Sequence, residues 1–147
     1  MVLAVGISAA SSAVTAQQSL IVGRHDAGAA VFKQCRACHQ VGTNARNGIG
    51  PVLNGVVGRP AGAYPDYTDS LANKNSGLVW DEETLARYLR APAEVVPGTK
   101  MIFFGLKKTQ DAADVIAYLK RFDADGEETD LRELRVPQRA EPNDRSS

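Results

Sequence analysis

The chain has 147 residues, with 17 acidic and 17 basic residues and 44% hydrophobic residues. This length fits one small soluble domain with an appended tail and leaves no room for several domains. The neutral balance of charge gives no reason to expect a nucleic-acid partner.

Residues 1–16 carry no charge and end in Val14-Thr15-Ala16, a pattern typical of the residues before a signal peptidase site. We expect a signal peptide that is cleaved before Gln17, and hence a periplasmic protein. The positively charged start of such a peptide is missing, so either the true start lies upstream or the segment is not a signal. Polar residues and Gly6 interrupt the apolar run, which argues against stable membrane insertion.

Three helices are predicted. The first spans about Asp26–His39. The second begins with the acidic residues 81–83 and ends at Pro92, and the third spans 111–121 with an apolar stripe at helical spacing. Residues 41–62 contain six Gly and two Pro, so we expect there a loop wrapped round a cofactor.

Residues 123–147 differ in composition from the rest of the chain. They hold eight acidic and four basic residues, two Pro and no aromatic residue, which predicts a disordered acidic tail. The remaining domain, residues 17–122, holds thirteen basic and nine acidic residues. The overall neutrality therefore hides a domain of net charge +4 and a tail of net charge −4.

The segment Cys35-Arg36-Ala37-Cys38-His39 carries the strongest chemical signal. Each thiol at this spacing can add to one haem vinyl group, which holds the following imidazole beneath the iron. The other readings are a redox dithiol or half of a zinc site. A zinc site needs further ligands, and outside this motif the chain has no Cys and only His25. One motif predicts one haem c, bound covalently through Cys35 and Cys38.

Further stretches resemble class I cytochromes c, in the mitochondrial and bacterial c2-type branch, over about residues 26–122. These stretches are Gly50-Pro51-Val52-Leu53-Asn54-Gly55, Tyr67-Thr68-Asp69, Asn73-Lys74-Asn75, Trp80, Pro97-Gly98-Thr99-Lys100-Met101-Ile102-Phe103 and Ile116-Ala117-Tyr118-Leu119-Lys120. The resemblance implies an all-α class I cytochrome c fold, with about three main helices and loops wrapped round one covalently bound haem.

The resemblance also implies the iron ligands. His39 is the implied proximal ligand, with its second ring nitrogen directed to the carbonyl of Pro51, and Met101 is the implied distal ligand. His25 could in principle replace the methionine, but we expect it to be an exposed residue before the first helix. Gly28 is expected to let the first and last helices approach closely.

Six further residues are implied to tune the haem. Three are expected to bind its propionates: Arg59, Tyr67 and Trp80. Three are expected to form a polar network near the distal ligand: Tyr88, Asn73 and Thr99. The alternative for all six is ordinary packing in the core and loops.

The predicted function is that of a monomeric carrier of single electrons, not an enzyme. A quinol–cytochrome c oxidoreductase or a dehydrogenase is the expected donor, and a terminal oxidase or photosynthetic reaction centre the expected acceptor. Four lysines are candidates for partner docking: Lys33, Lys100, Lys107 and Lys108. The alternatives are a haem domain that is a fixed subunit of a dehydrogenase or oxidase complex, and a peroxidase-like haem enzyme.

Overall fold

The computed structural model describes residues 21–129, so the predicted signal peptide and most of the predicted tail lie outside the described residues. Five helices follow one another in this part of the chain: α1 (His25–Phe32), α2 (Leu71–Asn75), α3 (Glu82–Arg90), α4 (Pro92–Val95) and α5 (Thr109–Leu119). Between residues 21 and 129, β pairing is limited to two isolated bridges. The predicted all-α class is confirmed, and the three predicted helices correspond to α1, α3 and α5. None of the described helices is both long and apolar enough to cross a membrane.

Side-chain caps fix the starts of two helices. Asp81 precedes α3 and accepts a hydrogen bond from the backbone N–H of Thr84 at 2.7 Å. Ser70 precedes α2 and accepts one from the backbone N–H of Asn73 at 3.1 Å. Helix α2 was not predicted, because its five residues are too few to show a helical period.

The first helix is shorter than predicted. It ends at Phe32, and the chain continues as a series of turns up to the haem-attachment motif. The bonds there include Gln34 N–H to the carbonyl of Val31 and Cys38 N–H to the carbonyl of Cys35, each spanning three residues. Arg36 and His39 donate instead across four residues, to the carbonyls of Phe32 and Cys35, so the motif mixes both spacings and does not continue α1 as a regular helix.

Helices α1 and α5 cross at close range, and Gly28 makes this crossing possible. A Cβ atom at this position would lie 1.9 Å from the backbone oxygen of Asp114, so only glycine fits. Phe32 lies one turn further along the same face, with its ring 5.3 Å from that of Tyr118. The expected role of Gly28 is confirmed. Helix α3 packs against α5 on another side and places Leu85 and Leu89 in the same core.

The folded domain extends past the predicted boundary at Phe122. Residues 123–129, here named the C-terminal hook, fold back on the end of α5. The N–H of Thr129 donates to the carbonyl of Arg121 at 2.7 Å, and the Arg121 guanidinium pairs with Glu128 at 2.6 Å. The acidic composition that predicted disorder from residue 123 is therefore misleading for these seven residues.

Candidate functional site

A cavity of about 390 Å³ lies between α3, α5 and the loops. Apolar side chains from both helices form part of its wall, among them Leu85, Leu89, Val115 and Leu119. All eleven residues that the sequence analysis assigned to the cofactor line it: Cys35, Cys38, His39, Pro51, Arg59, Tyr67, Asn73, Trp80, Tyr88, Thr99 and Met101. The fold thus brings residues from distant parts of the chain to one apolar cavity.

The two cysteines of the motif are half-buried and are not joined by a disulfide. Burial, with a smaller effect of Cys38, raises the pKa of the Cys35 thiol from 9.0 to about 11. Cys35 is therefore a neutral thiol at neutral pH. The turn that begins at Phe32 directs both sulfur-bearing residues to the cavity, as addition to two haem vinyl groups requires.

The imidazole of His39 is held at its Nδ1 atom. That atom lies 2.7 Å from the carbonyl oxygen of Pro51, and because a carbonyl can only accept, Nδ1 carries the proton. Burial lowers the pKa of His39, and this hydrogen bond opposes the shift only in part. A Cβ atom on Gly50 would lie 2.3 Å from the His39 ring. Glycine at 50 therefore leaves room for a neutral imidazole whose Nε2 lone pair is available to a metal.

Thr99 fixes the segment that carries Met101. Its hydroxyl oxygen accepts a hydrogen bond from the backbone N–H of Met101 at 3.2 Å and lies 2.9 Å from the hydroxyl of Tyr88. Just beside it, Lys100 donates its ammonium group to the carbonyl of Thr68 at 3.1 Å. These bonds tie the methionine segment to α3 and to the loop before α2.

The three residues expected at the haem propionates differ in their surroundings. The guanidinium of Arg59 donates to the carbonyl of Asn54 at 2.8 Å and lies over the ring of Tyr64. Trp80 is buried against Tyr88, with ring centroids 4.7 Å apart. The hydroxyl of Tyr67 donates to a backbone carbonyl, that of Ile49, at 2.7 Å. Tyr67 also lines the cavity, and its role at a propionate stays a prediction.

Two residues of the expected polar network near Met101, Tyr88 and Thr99, contact each other. The amide nitrogen of Asn73 donates to Asp69 at 3.3 Å, and its amide oxygen is buried without a partner among the described residues, so its part in the network stays a prediction. Sequence reasoning missed two buried polar residues of the cavity, Asp69 and Ser70. The signal for Ser70 was its place three residues before Asn73, which is the spacing of a helix cap. Asp69 had no comparable local signal.

The four candidate docking lysines are all exposed. Lys100 and Lys107 donate to backbone carbonyls at 3.1 and 3.0 Å, respectively. Two large apolar side chains beside Met101 are also exposed, Ile102 by 94% and Phe104 by 89%. His25 is not among the residues that line the cavity and lies 3.1 Å from the carboxylate of Asp26.

The donor atoms of this cavity fit haem. An imidazole nitrogen and a thioether sulfur are the pair that holds haem iron in electron-transfer cytochromes, and two cysteines line the same cavity. A shell of helices and loops round one apolar cavity with such a donor set defines a haem protein of the electron-transfer class. The chain belongs to the cytochrome c family, class I, in its c2-type branch: the family model "Cytochrome c" matches residues 25–123. Family membership implies haem c as the cofactor.

Several relatives carry the same family assignment in their names. Cytochrome c2 of Rhodomicrobium vannielii is 62% identical over 92 residues, which are 63% of this chain and 74% of that protein. Cytochrome c2 of Blastochloris viridis is 47% identical over 126 residues, 86% of this chain and 95% of that protein. Among solved structures, cytochrome cH from Methylobacterium extorquens is 45% identical with a TM-score of 0.64, covering 67% of this chain and 98% of that one. These relatives support the function of a monohaem electron carrier.

Proposed function

We propose that this protein carries single electrons by cycling one haem c between the ferrous and ferric states, with His39 and Met101 as the axial ligands and Cys35 and Cys38 as the attachment points. The observation that carries the proposal is that these four residues line one apolar cavity. Bound haem supplies the one-electron redox chemistry. The chain supplies the ligands, the exclusion of water and the surface that meets its partners.

His39 acts as the proximal ligand because of its hydrogen bond to Pro51. This bond fixes the ring orientation, keeps the proton on Nδ1 and makes Nε2 a stronger donor. The lowered pKa of His39, caused first by burial, keeps the imidazole unprotonated at neutral pH. The residue is thus ready to bind iron without first losing a proton.

Met101 acts as the distal ligand. Its thioether is soft and uncharged, so it favours ferrous over ferric iron and raises the reduction potential. The bonds of Thr99 hold its backbone. We assign three residues of the cavity to the propionates: Arg59, Tyr67 and Trp80. Because His39 and Met101 would hold the bound iron from both sides and leave no open site for substrate, we propose that the protein is not an enzyme.

The proposed setting is the periplasm, with residues 1–16 as a signal peptide and the tail beginning after the C-terminal hook. A monomer would exchange electrons with a quinol–cytochrome c oxidoreductase or dehydrogenase as donor, and with a terminal oxidase or reaction centre as acceptor. Support comes from the exposed lysines at 33, 100, 107 and 108, which suit an acidic partner surface. The rate of electron transfer to such a partner should fall as ionic strength rises.

The test is a spectroelectrochemical titration of the holoprotein made in a host that matures c-type cytochromes. Met101→Ala should lose the low-spin six-coordinate spectrum and show a much lower midpoint potential. Phe104→Ala is the matched control, because that side chain is close to Met101 in the chain, 89% exposed and not among the residues that line the cavity. If Met101→Ala keeps the wild-type spectrum and potential, Met101 is not a ligand and the proposal fails.

A further inference from the structure

Asp69 is a buried carboxylate in the wall of the haem cavity. Its residue is only 9% exposed, and it lines the cavity together with Ser70 and Asn73. Its side chain has one hydrogen bond, from the amide of Asn73 at 3.3 Å, and among residues 21–129 no cation lies within 4.0 Å of it. One long hydrogen bond and no ion pair give this carboxylate little stabilisation from its neighbours, so its place is not explained by stability.

The charge of Asp69 reaches several other groups of the cavity. Burial lowers the pKa of Arg59, and the charges of Tyr64 and Asp69 oppose that shift. Burial raises the pKa of Tyr67 and of Tyr88, and the charge of Asp69 raises both further. Arg59 lies in a loop, Tyr67 at the rim of the cavity and Tyr88 on α3. The negative charge of Asp69 therefore acts on residues in several parts of the cavity wall.

We infer that Asp69 is a potential-determining residue of this cytochrome: its negative charge stabilises ferric over ferrous iron and lowers the reduction potential. The inference rests on the proposed function. Oxidation removes one electron to the acceptor protein, forms and breaks no bond at Asp69, and leaves one more positive charge on the haem. Because the interior screens charge weakly, a carboxylate in the cavity wall favours the state with the higher positive charge. Asp69 thus lowers the reduction potential, which Met101 raises.

The experiment compares midpoint potentials of three holoproteins: wild type, Asp69→Asn and Asp66→Asn. The first substitution removes the buried charge but keeps the size of the side chain and the oxygen that accepts from Asn73. The second removes an exposed charge three residues away, and Asn tolerates the left-handed backbone there, where φ is 56°. Each potential is measured at low and at high salt, with the absorption spectrum recorded to show unchanged ligation.

Asp69→Asn should raise the midpoint potential at both salt concentrations, seen as a several-fold lower ferric-to-ferrous ratio at a fixed applied potential. Asp66→Asn should shift it little, and only at low salt, because exposed charges are screened and buried ones much less so. Asp69→Glu, which keeps the charge, should stay near the wild-type potential. If Asp69 had only a structural role, the midpoint potentials of the Asn and Glu variants would not differ in this way.

An unchanged or lowered potential in Asp69→Asn, with a wild-type spectrum, would overturn the inference. If that variant fails to bind haem, Asp69→Ser takes its place as the neutral variant and the same comparison with Asp69→Glu decides. The proposed function fails separately, when the wild-type chain binds no haem or when Met101→Ala leaves its spectrum unchanged. The two failures are thus distinguishable.

Discussion

Gly28 of α1 lies directly against the backbone of Asp114 in α5: a Cβ atom built on the glycine would stand 1.9 Å from the Asp114 carbonyl oxygen. The same aspartate bonds the chain just before α1 through its side chain, which accepts from the backbone N–H of Arg24 at 2.8 Å. One residue of α5 therefore positions α1 twice, once by contact and once by hydrogen bonding.

Gly28→Ala should destabilise the holoprotein. Alanine favours a helix by about 1 kcal/mol over glycine, but forcing a methyl group against a backbone oxygen costs more, so we expect a net loss of about 2 kcal/mol. Guanidinium unfolding of the ferric protein measures it. Gly48→Ala is the control, since its Cβ would lie 3.5 Å from the nearest atom, the Cys38 carbonyl oxygen. Equal stability of the two variants would contradict the close crossing.

Asp114 should make stability depend on pH in the acid range. Burial alone raises the pKa of Asp114, but hydrogen bonds from Arg24 and Gln110, with the charge of Arg24, outweigh it and leave the pKa below its ordinary value. The carboxylate therefore contributes stability that is complete above its unfolded pKa of about 3.9 and is lost as pH falls through the lower native pKa.

Unfolding free energies measured from neutral pH down to about pH 3 test this assignment. The wild-type curve should fall more steeply in acid than that of Asp114→Asn, which lacks the ionisable group. Asp125→Asn, the loss of an exposed carboxylate, should leave the acid dependence close to wild type. Parallel curves for wild type and Asp114→Asn would show that Asp114 carries no such linkage.

Asp66 is the one non-glycine residue with a positive φ in the described part of the chain. A β-branched side chain does not tolerate this backbone, so Asp66→Val should cost about 1–2 kcal/mol, whereas Asp66→Asn should be nearly neutral. Thermal unfolding of the two holoproteins gives the comparison. If the valine variant is as stable as the asparagine variant, the left-handed turn at residue 66 is not retained in solution.

Thr99→Val should weaken the hold on Met101. The substitution leaves the N–H of Met101 and the hydroxyl of Tyr88 without their shared partner, at a cost of about 2 kcal/mol. Added imidazole competes with a thioether for ferric iron, so its affinity should rise in this variant. Thr68→Val is the control, because only the backbone carbonyl of Thr68 is used, by Lys100. Equal imidazole affinity in both variants would show that Thr99 does not hold the segment that carries Met101.

Local signals in the sequence were enough for the existence of the long helices, and Asp81 with the acidic residues after it marked the start of α3. Most of the cofactor residues came from the resemblance to class I cytochromes c; they line one cavity, and their roles there stay predictions. The loop before α2 was harder. Tyr67 and Asp69 are two residues apart and both line the cavity, but Tyr67 is half-buried and Asp69 is buried, and only the path of an irregular loop decides this difference.

The C-terminal hook was missed for a different reason. Its residues are acidic and lack large apolar groups, the composition that predicts disorder. It is held by backbone pairing and by the close contact of Gly126, where a Cβ atom would lie 2.3 Å from the backbone of Gly42. Such contacts depend on the loop that carries Gly42, and the composition of the hook does not reveal them.

Two truncations test the corrected boundary. A chain that ends at Thr129 keeps the hook and should unfold with the wild-type free energy. A chain that ends at Phe122 loses the Arg121–Glu128 ion pair and the packing of Gly126 on Gly42, and should be about 1–3 kcal/mol less stable.

Glu128→Gln separates the two contributions in the same assay. Because this ion pair is partly exposed, its loss alone should cost less than about 1 kcal/mol, so most of the truncation effect belongs to the packed backbone. If the chain ending at Phe122 is as stable as the chain ending at Thr129, the hook does not support the fold. Electron transfer from the longer truncation to the acceptor protein tests the tail itself: an unchanged rate would exclude residues 130–147 from docking.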